Sequence, residues 1–219
     1  MELDEVMRCA PTSRRFTDQP VDRAAIVRAL DAARFAPSGG NRQGWRVVVV
    51  TDPEKRAALR DLYLPHWRAY MEITGGAKML ADPDAFDPKR TQMVRRANEY
   101  AEKLAEVPVH LVLGVQLSDL AVTDESLPRT SIVGGASVYP FAQNVLLALR
   151  NEGLGASMTT LLVPAEREVR ELLAIPDDIA LAAHIGVGHR ADPWPKSLSR
   201  RPVEEFAFAE RFGEPLAAN

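Results

Sequence analysis

The stretch APSGGNRQGWRVVVV at residues 36–50 decides the fold prediction, because it joins a helix to a strand through a glycine-containing loop. The run Arg46–Val50 is rich in β-branched residues and predicts a strand that is buried on both faces. In the preceding loop, glycines allow backbone amides to come close to a flat ligand. Asn41 and Gln43 can each donate and accept hydrogen bonds, as a ring with alternating carbonyls and nitrogens requires. The alternative is a tight connection without a ligand, in which Trp45 is a core residue.

The segments on either side of this stretch predict a layered α+β domain, with helices around a small sheet. Asp22 is the expected N-cap of the helix before the loop, and its apolar residues recur at helical spacing as far as Ala33. Further helices are predicted from Thr51, from Asp87 to about residue 106, from Gly134 to Glu152 with Gly153 as C-cap, and from Pro164 to Leu173. Further strands are predicted at 109–115, 154–163 and 179–187.

Residues 63–87 predict an irregular excursion, because prolines and glycines interrupt any regular pattern there. The same segment still carries large apolar side chains. We therefore expect a flap or substrate lid. On position alone, Trp67, Tyr70 and Met71 are the expected substrate contacts.

Three polar clusters are candidate binding sites. Residues 12–15 place two hydroxyls beside two guanidiniums, and arginine suits phosphate because its planar fork forms paired, charge-assisted hydrogen bonds. Residues 197–201 form a second basic cluster. The hydroxyl run at 157–160 lies in a predicted strand, where buried hydroxyls need partners. The alternative for residues 12–15 is a solvated turn, and the alternative for residues 197–201 is an exposed tail. The hydroxyls at 157–160 could instead bond to neighbouring strands.

Composition narrows the class of protein. A chain of 219 residues suits one domain, and its net charge of −3 gives no reason to expect nucleic acid or an anionic membrane as a partner. The single cysteine, Cys9, excludes an internal disulfide and the usual cysteine-rich zinc site, so we expect no metal. Neither a phosphate loop nor a dinucleotide-binding glycine fingerprint is present. Without a secretory signal or an apolar run of about 20 residues, a cytoplasmic enzyme is the expectation.

The order and spacing of these motifs resemble the nitroreductase family of flavoproteins. The most specific segments are residues 36–43 and the Gln143-Asn144 pair in a helix that leads to the segment 152–155, Glu-Gly-Leu-Gly. The resemblance covers nearly the whole chain and is weakest at 63–130. It implies one nitroreductase-like domain over 1–219, built as a layered sandwich with a small, mostly antiparallel sheet. It also implies an interlocked homodimer with FMN at the subunit interface and a C-terminal tail, 192–219, that wraps the partner.

The resemblance also assigns roles to individual residues. Arg14 and Arg200 match FMN phosphate contacts, Arg15 is an expected helper, and Thr12 stands where a serine is usual. Ala10 and Pro11 replace usual basic residues, so one phosphate contact is missing. The remaining flavin contacts are expected from the loop, often of the other subunit, and from the hydroxyl-bearing strand; they are Pro37, Ser38, Gly39, Asn41, Gln43, Thr159 and Thr160.

The implied activity passes electrons from NAD(P)H through FMN to an electron-poor small molecule such as a nitroaromatic, quinone or enone. The mechanism is ping-pong, and because the cofactor carries the electrons we name no catalytic acid or base. Two alternatives stay open. One is a specialised relative that dehalogenates iodotyrosine, fragments flavin to dimethylbenzimidazole or reduces a deazaflavin precursor. The other is a flavin-storage protein without turnover.

Overall fold

The sheet has four strands, and we describe it from a computed structural model that covers residues 1–216. The strands are β1 (Trp45–Val50), β2 (Val109–Gln116), β3 (Gly155–Thr159) and β4 (Ile179–Gly188). Their order is β1-β2-β4-β3, and every neighbouring pair is antiparallel. The predicted small antiparallel sheet is therefore confirmed.

Helices cover both faces of the sheet. Alternate residues of β2 divide between them: Leu111 and Leu113 join the core under one helical layer, and Val112 joins the core under the other. This alternation gives the predicted layered α+β sandwich. The helices are α1 (Leu3–Cys9), α2 (Arg23–Ala33), α3 (Pro53–Ile73), α4 (Gly76–Ala81), α5 (Pro88–Glu102), α6 (Val138–Asn151) and α7 (Glu166–Leu173).

Helices α2 and α6 form the layer that positions the glycine-containing loop. Asp22 caps α2 as predicted, since its side chain accepts a hydrogen bond from the Ala24 amide. Gly153 follows α6 in the left-handed conformation, at φ 78°, as expected of a residue that ends a helix. Trp45 stacks on Phe141 of α6 with ring centroids 4.7 Å apart, and it is half-buried against the core. The loop is thereby held between two packed helices and the first strand.

The prediction that the valine strand is buried on both faces is wrong. β1 lies at an edge of the sheet, where it pairs only with β2. Val49 is 41% exposed, and Val47 and Val48 are half-buried. The sequence run carries the β propensity of a strand, but propensity does not tell a central strand from an edge strand.

The irregular structure predicted for 63–87 is also wrong for most of that segment. α3 runs without a break to Ile73 and contains Pro65, and α4 follows after a left-handed Gly75. The third strand is shorter than predicted and ends at Thr159. The charged helix ends at Glu102 and a short 3-10 turn follows it.

The C-terminal segment from Asp192 contains little regular structure as far as residue 216, and the rest of the predicted tail, 217–219, lies outside the described residues. Phe206 and Phe212 are exposed, the latter to 93%. Within residues 1–216, no helix is both long enough and apolar enough to cross a membrane.

Candidate functional site

The basic N-terminal segment is fixed beside β3 by backbone pairing. Thr12 forms a parallel bridge with Ala156, and the Ser13 amide donates to the Ala156 carbonyl at 2.8 Å. Ser13 is fully buried, and its hydroxyl accepts a hydrogen bond from Arg190 Nη1 at 3.1 Å. Arg14 therefore follows a rigid anchor rather than a solvated turn.

Two buried tyrosines connect this segment to the end of β3. Burial raises the pKa of Tyr63, while a hydrogen bond to Thr159 and the positive charge of Arg14 act in the opposite direction. Burial likewise raises the pKa of Tyr100. Both hydroxyls thus stay protonated at neutral pH. Thr159 and Arg14, which are far apart in the sequence, both lie near enough to Tyr63 to affect its pKa.

Thr12 and Arg200 line one cavity of about 250 Å³, which also contacts α6. Trp194 forms part of its wall, and the Arg150 guanidinium lies 3.9 Å from the Trp194 ring centroid. A hydroxyl and a guanidinium facing the same small cavity are suitable ligands for a phosphate. Arg15 is instead exposed and pairs with Asp192 at 2.9 Å.

The loop at 37–43 has a defined internal structure. Gln43 donates through its amide nitrogen Nε2 to Asn41 Oδ1 at 3.1 Å, and both residues have positive φ. The Ser38 hydroxyl accepts from the Gln43 backbone amide at 3.1 Å. Asn41 and Gln43 thus stabilise the loop, which leaves Pro37, Ser38 and Gly39 to line a cavity of about 560 Å³.

One chain does not bring the loop and the phosphate-type cavity together. The Gly39 amide donates to Ser137, immediately before α6, whereas Thr12 shares its cavity with Arg150, in the last turn of α6. At 1.5 Å per residue, about 20 Å of helix separates the two positions. The predicted site residues therefore line separate cavities in one subunit.

The residues predicted to contact substrate are divided between core and surface. Trp67 and Met71 are buried in the core beneath α3, and Trp67 Nε1 donates to Asn98 Oδ1 at 2.9 Å. Tyr70 is 46% exposed. Thr160 is exposed just beyond β3, near the residue pair of Tyr63 and Thr159. Substrate contact at Trp67, Tyr70 and Met71 stays a prediction.

Sequence reasoning missed several charged and polar residues that face the N-terminal segment. Arg190 is the partner of Ser13, and nothing local marks it, because the contact joins residues 177 positions apart. Lys89 and Arg96 line a cavity with Arg14. Their spacing of seven on one helix was a visible signal, since such residues share a face.

The comparison with known families agrees with this geometry. The Nitroreductase family model matches residues 11–189, from the segment beside β3 to the end of β4. The chain belongs to the nitroreductase family.

Two curated relatives show the range of reactions among similar proteins. The nitrobenzene nitroreductase of Ectopseudomonas oleovorans is 26% identical over 225 residues, covering 93% of this chain and 95% of the relative. The iodotyrosine deiodinase of Thermotoga neapolitana is 28% identical over 195 residues, covering 89% of this chain and 91% of the relative. Among solved structures, an FMN and NADPH-dependent nitroreductase from Sphigopyxis sp. strain HMH is similar with a TM-score of 0.68 at 22% identity, covering 97% and 100% of the two chains. The family is thus shared by enzymes with different reactions.

Proposed function

We propose that this protein binds FMN and passes electrons from NAD(P)H to an electron-poor small molecule. The observation that carries the proposal is the pairing of Thr12 with Ala156, which sets the basic segment against the strand that ends at Thr159. Support comes from the family match and from the similar structure, an enzyme described as FMN and NADPH-dependent.

The residues present fit the phosphate end of FMN. Thr12 and Arg200 face the same small cavity, and Arg14 lies at the neighbouring one. The hydroxyl can donate one hydrogen bond, and each guanidinium can donate a charge-assisted pair. Arg15 is a helper only if it gives up its ion pair with Asp192.

We assign the flavin ring to the cavity at the loop, with the loop supplied by another copy of the chain. The loop and the Thr12 cavity contact different parts of α6, which supports a site completed by another copy of the chain. Pro37, Ser38 and Gly39 would then lie against the ring of a flavin whose phosphate is held by the partner. Thr159 and Thr160 would reach the ring from the same subunit as Thr12.

Exposed apolar side chains support the homodimer. Phe35, at the end of α2, is 77% exposed, Ile132 is 75% exposed, and Phe212 in the tail is 93% exposed. Contiguous exposed apolar surface marks contact sites in soluble proteins, and we propose that these residues belong to such a surface. We propose that the tail of one subunit and the α2–α6 layer of another cover each other. Light scattering at micromolar concentration should therefore give twice the mass of one chain.

The chain contributes binding and electrostatics to the reaction. Bound FMN would supply a ring that accepts a hydride from NAD(P)H and gives up electrons to the second substrate. Arg14 would place positive charge near the flavin, where it stabilises the negative charge of the reduced state. Tyr63 and Tyr100 stay neutral beside Arg14, because burial raises the pKa of both hydroxyls.

The first experiment is an anaerobic absorbance spectrum of the purified protein before and after NADPH, and then NADH. We expect oxidised-flavin bands that bleach rapidly with one of the two donors. Bound flavin that neither donor bleaches would favour storage or another reductant. A colourless protein that takes up no added FMN would contradict the proposal.

The phosphate assignment is tested by Arg200→Ala, with Arg201→Ala as the matched control. Both arginines are exposed, but only Arg200 lines the Thr12 cavity, whereas Arg201 lies 3.8 Å from Glu205. We expect flavin content to fall in Arg200→Ala, because a charged phosphate partner is lost, and to stay at the wild-type level in Arg201→Ala. Full flavin occupancy in Arg200→Ala would remove this residue from the site.

A further inference from the structure

A stripe of α5 faces the basic N-terminal segment. Lys89, Gln92, Met93 and Arg96 all line one cavity of about 480 Å³. Their positions follow the spacing i, i+3, i+4 and i+7, which places side chains on one face of a helix. The cavity lies within the size range of small-molecule sites.

The opposite wall of this cavity is also cationic. Arg14, Arg15 and Arg190 line it, and Asp192 is the one carboxylate among its lining residues. Asp192 pairs with Arg15 at 2.9 Å and lies 3.9 Å from Arg190.

Three of the cavity's cations are left without a carboxylate. Within the described part of the chain, Arg14, Lys89 and Arg96 have no acidic group within 4 Å. The surroundings of Arg190 lower its pKa. Burial is the largest cause, the negative charge of Asp192 acts in the opposite direction, and the positive charge of Arg96 lowers the pKa further. Cations that converge without partners repel one another, and a bound oxyanion would remove that repulsion.

The apolar part of the cavity suggests what carries the oxyanion. Met93 is 57% exposed in the same stripe as the two cations. A methionine thioether makes favourable contacts with aromatic rings and adapts to their shape. The cavity thus combines a cationic wall with one soft apolar contact, as an aromatic acid requires.

We propose that the cavity between α5 and the N-terminal segment binds the carboxylate or phosphate of an anionic aromatic electron acceptor. Lys89 and Arg96 are its specificity-determining residues, and Arg14 connects it to the flavin. The inference rests on the proposed function. The two sites adjoin, since Thr12 lines both cavities, but Arg200 lines only the smaller one, and Lys89 and Arg96 line only the cavity beside α5.

The test compares Arg96→Gln with Arg95→Gln. Both residues are exposed arginines of α5, but only Arg96 lines the cavity. The acceptors are 4-nitrobenzoate and the neutral 4-nitrobenzyl alcohol, which share the reducible group and nearly the same shape. Since loss of a charge-assisted contact of about 1.4 kcal/mol is a tenfold effect, we expect the kcat/KM ratio of acid over alcohol to fall about tenfold in Arg96→Gln. The change should lie in KM, and the ratio should be unchanged in Arg95→Gln.

A second readout does not depend on turnover. Calorimetry of 4-nitrobenzoate binding to the purified oxidised protein, without NAD(P)H, should show affinity that Arg96→Gln and Lys89→Gln each weaken about tenfold. If the protein reduces no acceptor but binds the acid in this way, the proposed function fails and the anion site stands. Equal affinity in wild type and both variants would overturn the anion site.

Two further outcomes would assign the oxyanion to a nucleotide and overturn the inference. Loss of flavin content in Arg96→Gln would make the cavity part of the FMN phosphate site. A selective rise in KM for NADPH over NADH would assign it to the 2′-phosphate of the donor. If Arg96→Gln does not fold, the same measurements on Lys89→Gln distinguish these outcomes.

Discussion

A buried histidine pair predicts that the protein loses stability on mild acidification. His110 Nδ1 of β2 lies 2.9 Å from His184 Nε2 of β4, and both rings are fully buried. Burial and the positive charge of Arg56 lower the pKa of His110 from 6.5 to about 4. Burial and His110 also lower the pKa of His184 well below its ordinary value.

The direction in which stability changes with pH follows from the number of protons that each state binds. Between pH 6.5 and pH 4 the unfolded chain binds a proton at His110 that the folded protein does not, so acid favours unfolding. Each pH unit in that window removes about 1.4 kcal/mol. Between pH 7 and pH 5.5 we expect a loss of about 1 kcal/mol from His110 alone, and about twice that if His184 contributes equally.

The assay is urea unfolding at pH 7.0, 6.0 and 5.5, at one protein concentration because ligand and subunit binding shift apparent stability. This window lies above the ordinary pKa of carboxyl groups, so they contribute little. Replacing both histidines by leucine should remove the slope whatever the absolute stability. Ring resonances of His110 in the wild type give an independent measurement. Titration of those resonances near 6.5, or a free energy of unfolding that is flat from pH 7.0 to 5.5, would refute the reasoning.

Two further predictions concern the site anchor and the core. In Gly155→Ala, the new Cβ would meet Ser13 Oγ at 2.7 Å and Ser13 Cβ at 2.9 Å, so we expect displacement of the N-terminal segment and lower flavin content, measured by absorbance after gel filtration. Gly153→Ala would test backbone strain without this clash, because nothing lies within 4 Å there. Leu149→Ala should lower the free energy of unfolding by about 2–5 kcal/mol in denaturant titrations, because the side chain is fully buried, whereas the 68% exposed Leu3→Ala should change it by less than about 0.5 kcal/mol.

Much of the fold was visible in the sequence because local pattern and tertiary role agree in α2 and α6, and because β propensity located all four strands, although it did not show that β1 is an edge strand. In α3, by contrast, the local sequence pattern and the tertiary role of the segment differ. Leu59, Tyr63, Trp67 and Met71 recur every four residues and form its buried stripe. Pro65 breaks the local pattern but faces solvent, so the helix loses one hydrogen bond while the packing of its buried stripe persists.

Some residues of the candidate site could likewise be predicted from the sequence and others could not. Residues 12–15 and 37–43 could be found because their composition is unusual over a few positions. Arg190 and Tyr63 could not, since their importance arises from contacts with Ser13 and Thr159 that only the folded chain creates. The Lys89–Arg96 stripe is intermediate, because its helical spacing is readable but the cationic wall opposite it is not.

Overall charge and local charge lead to opposite conclusions about anionic ligands. The chain carries a formal charge of −3, so its long-range field does not attract an acidic acceptor. The cavity beside α5, by contrast, has five cations and one carboxylate in its lining. Since exposed charges more than about 10 Å apart are largely screened in ordinary salt, a ligand responds to the cavity and not to the whole surface. Recognition of an acid here must therefore come from short-range contacts with Arg14, Lys89 and Arg96, and so would appear in the dissociation rate more than in the association rate.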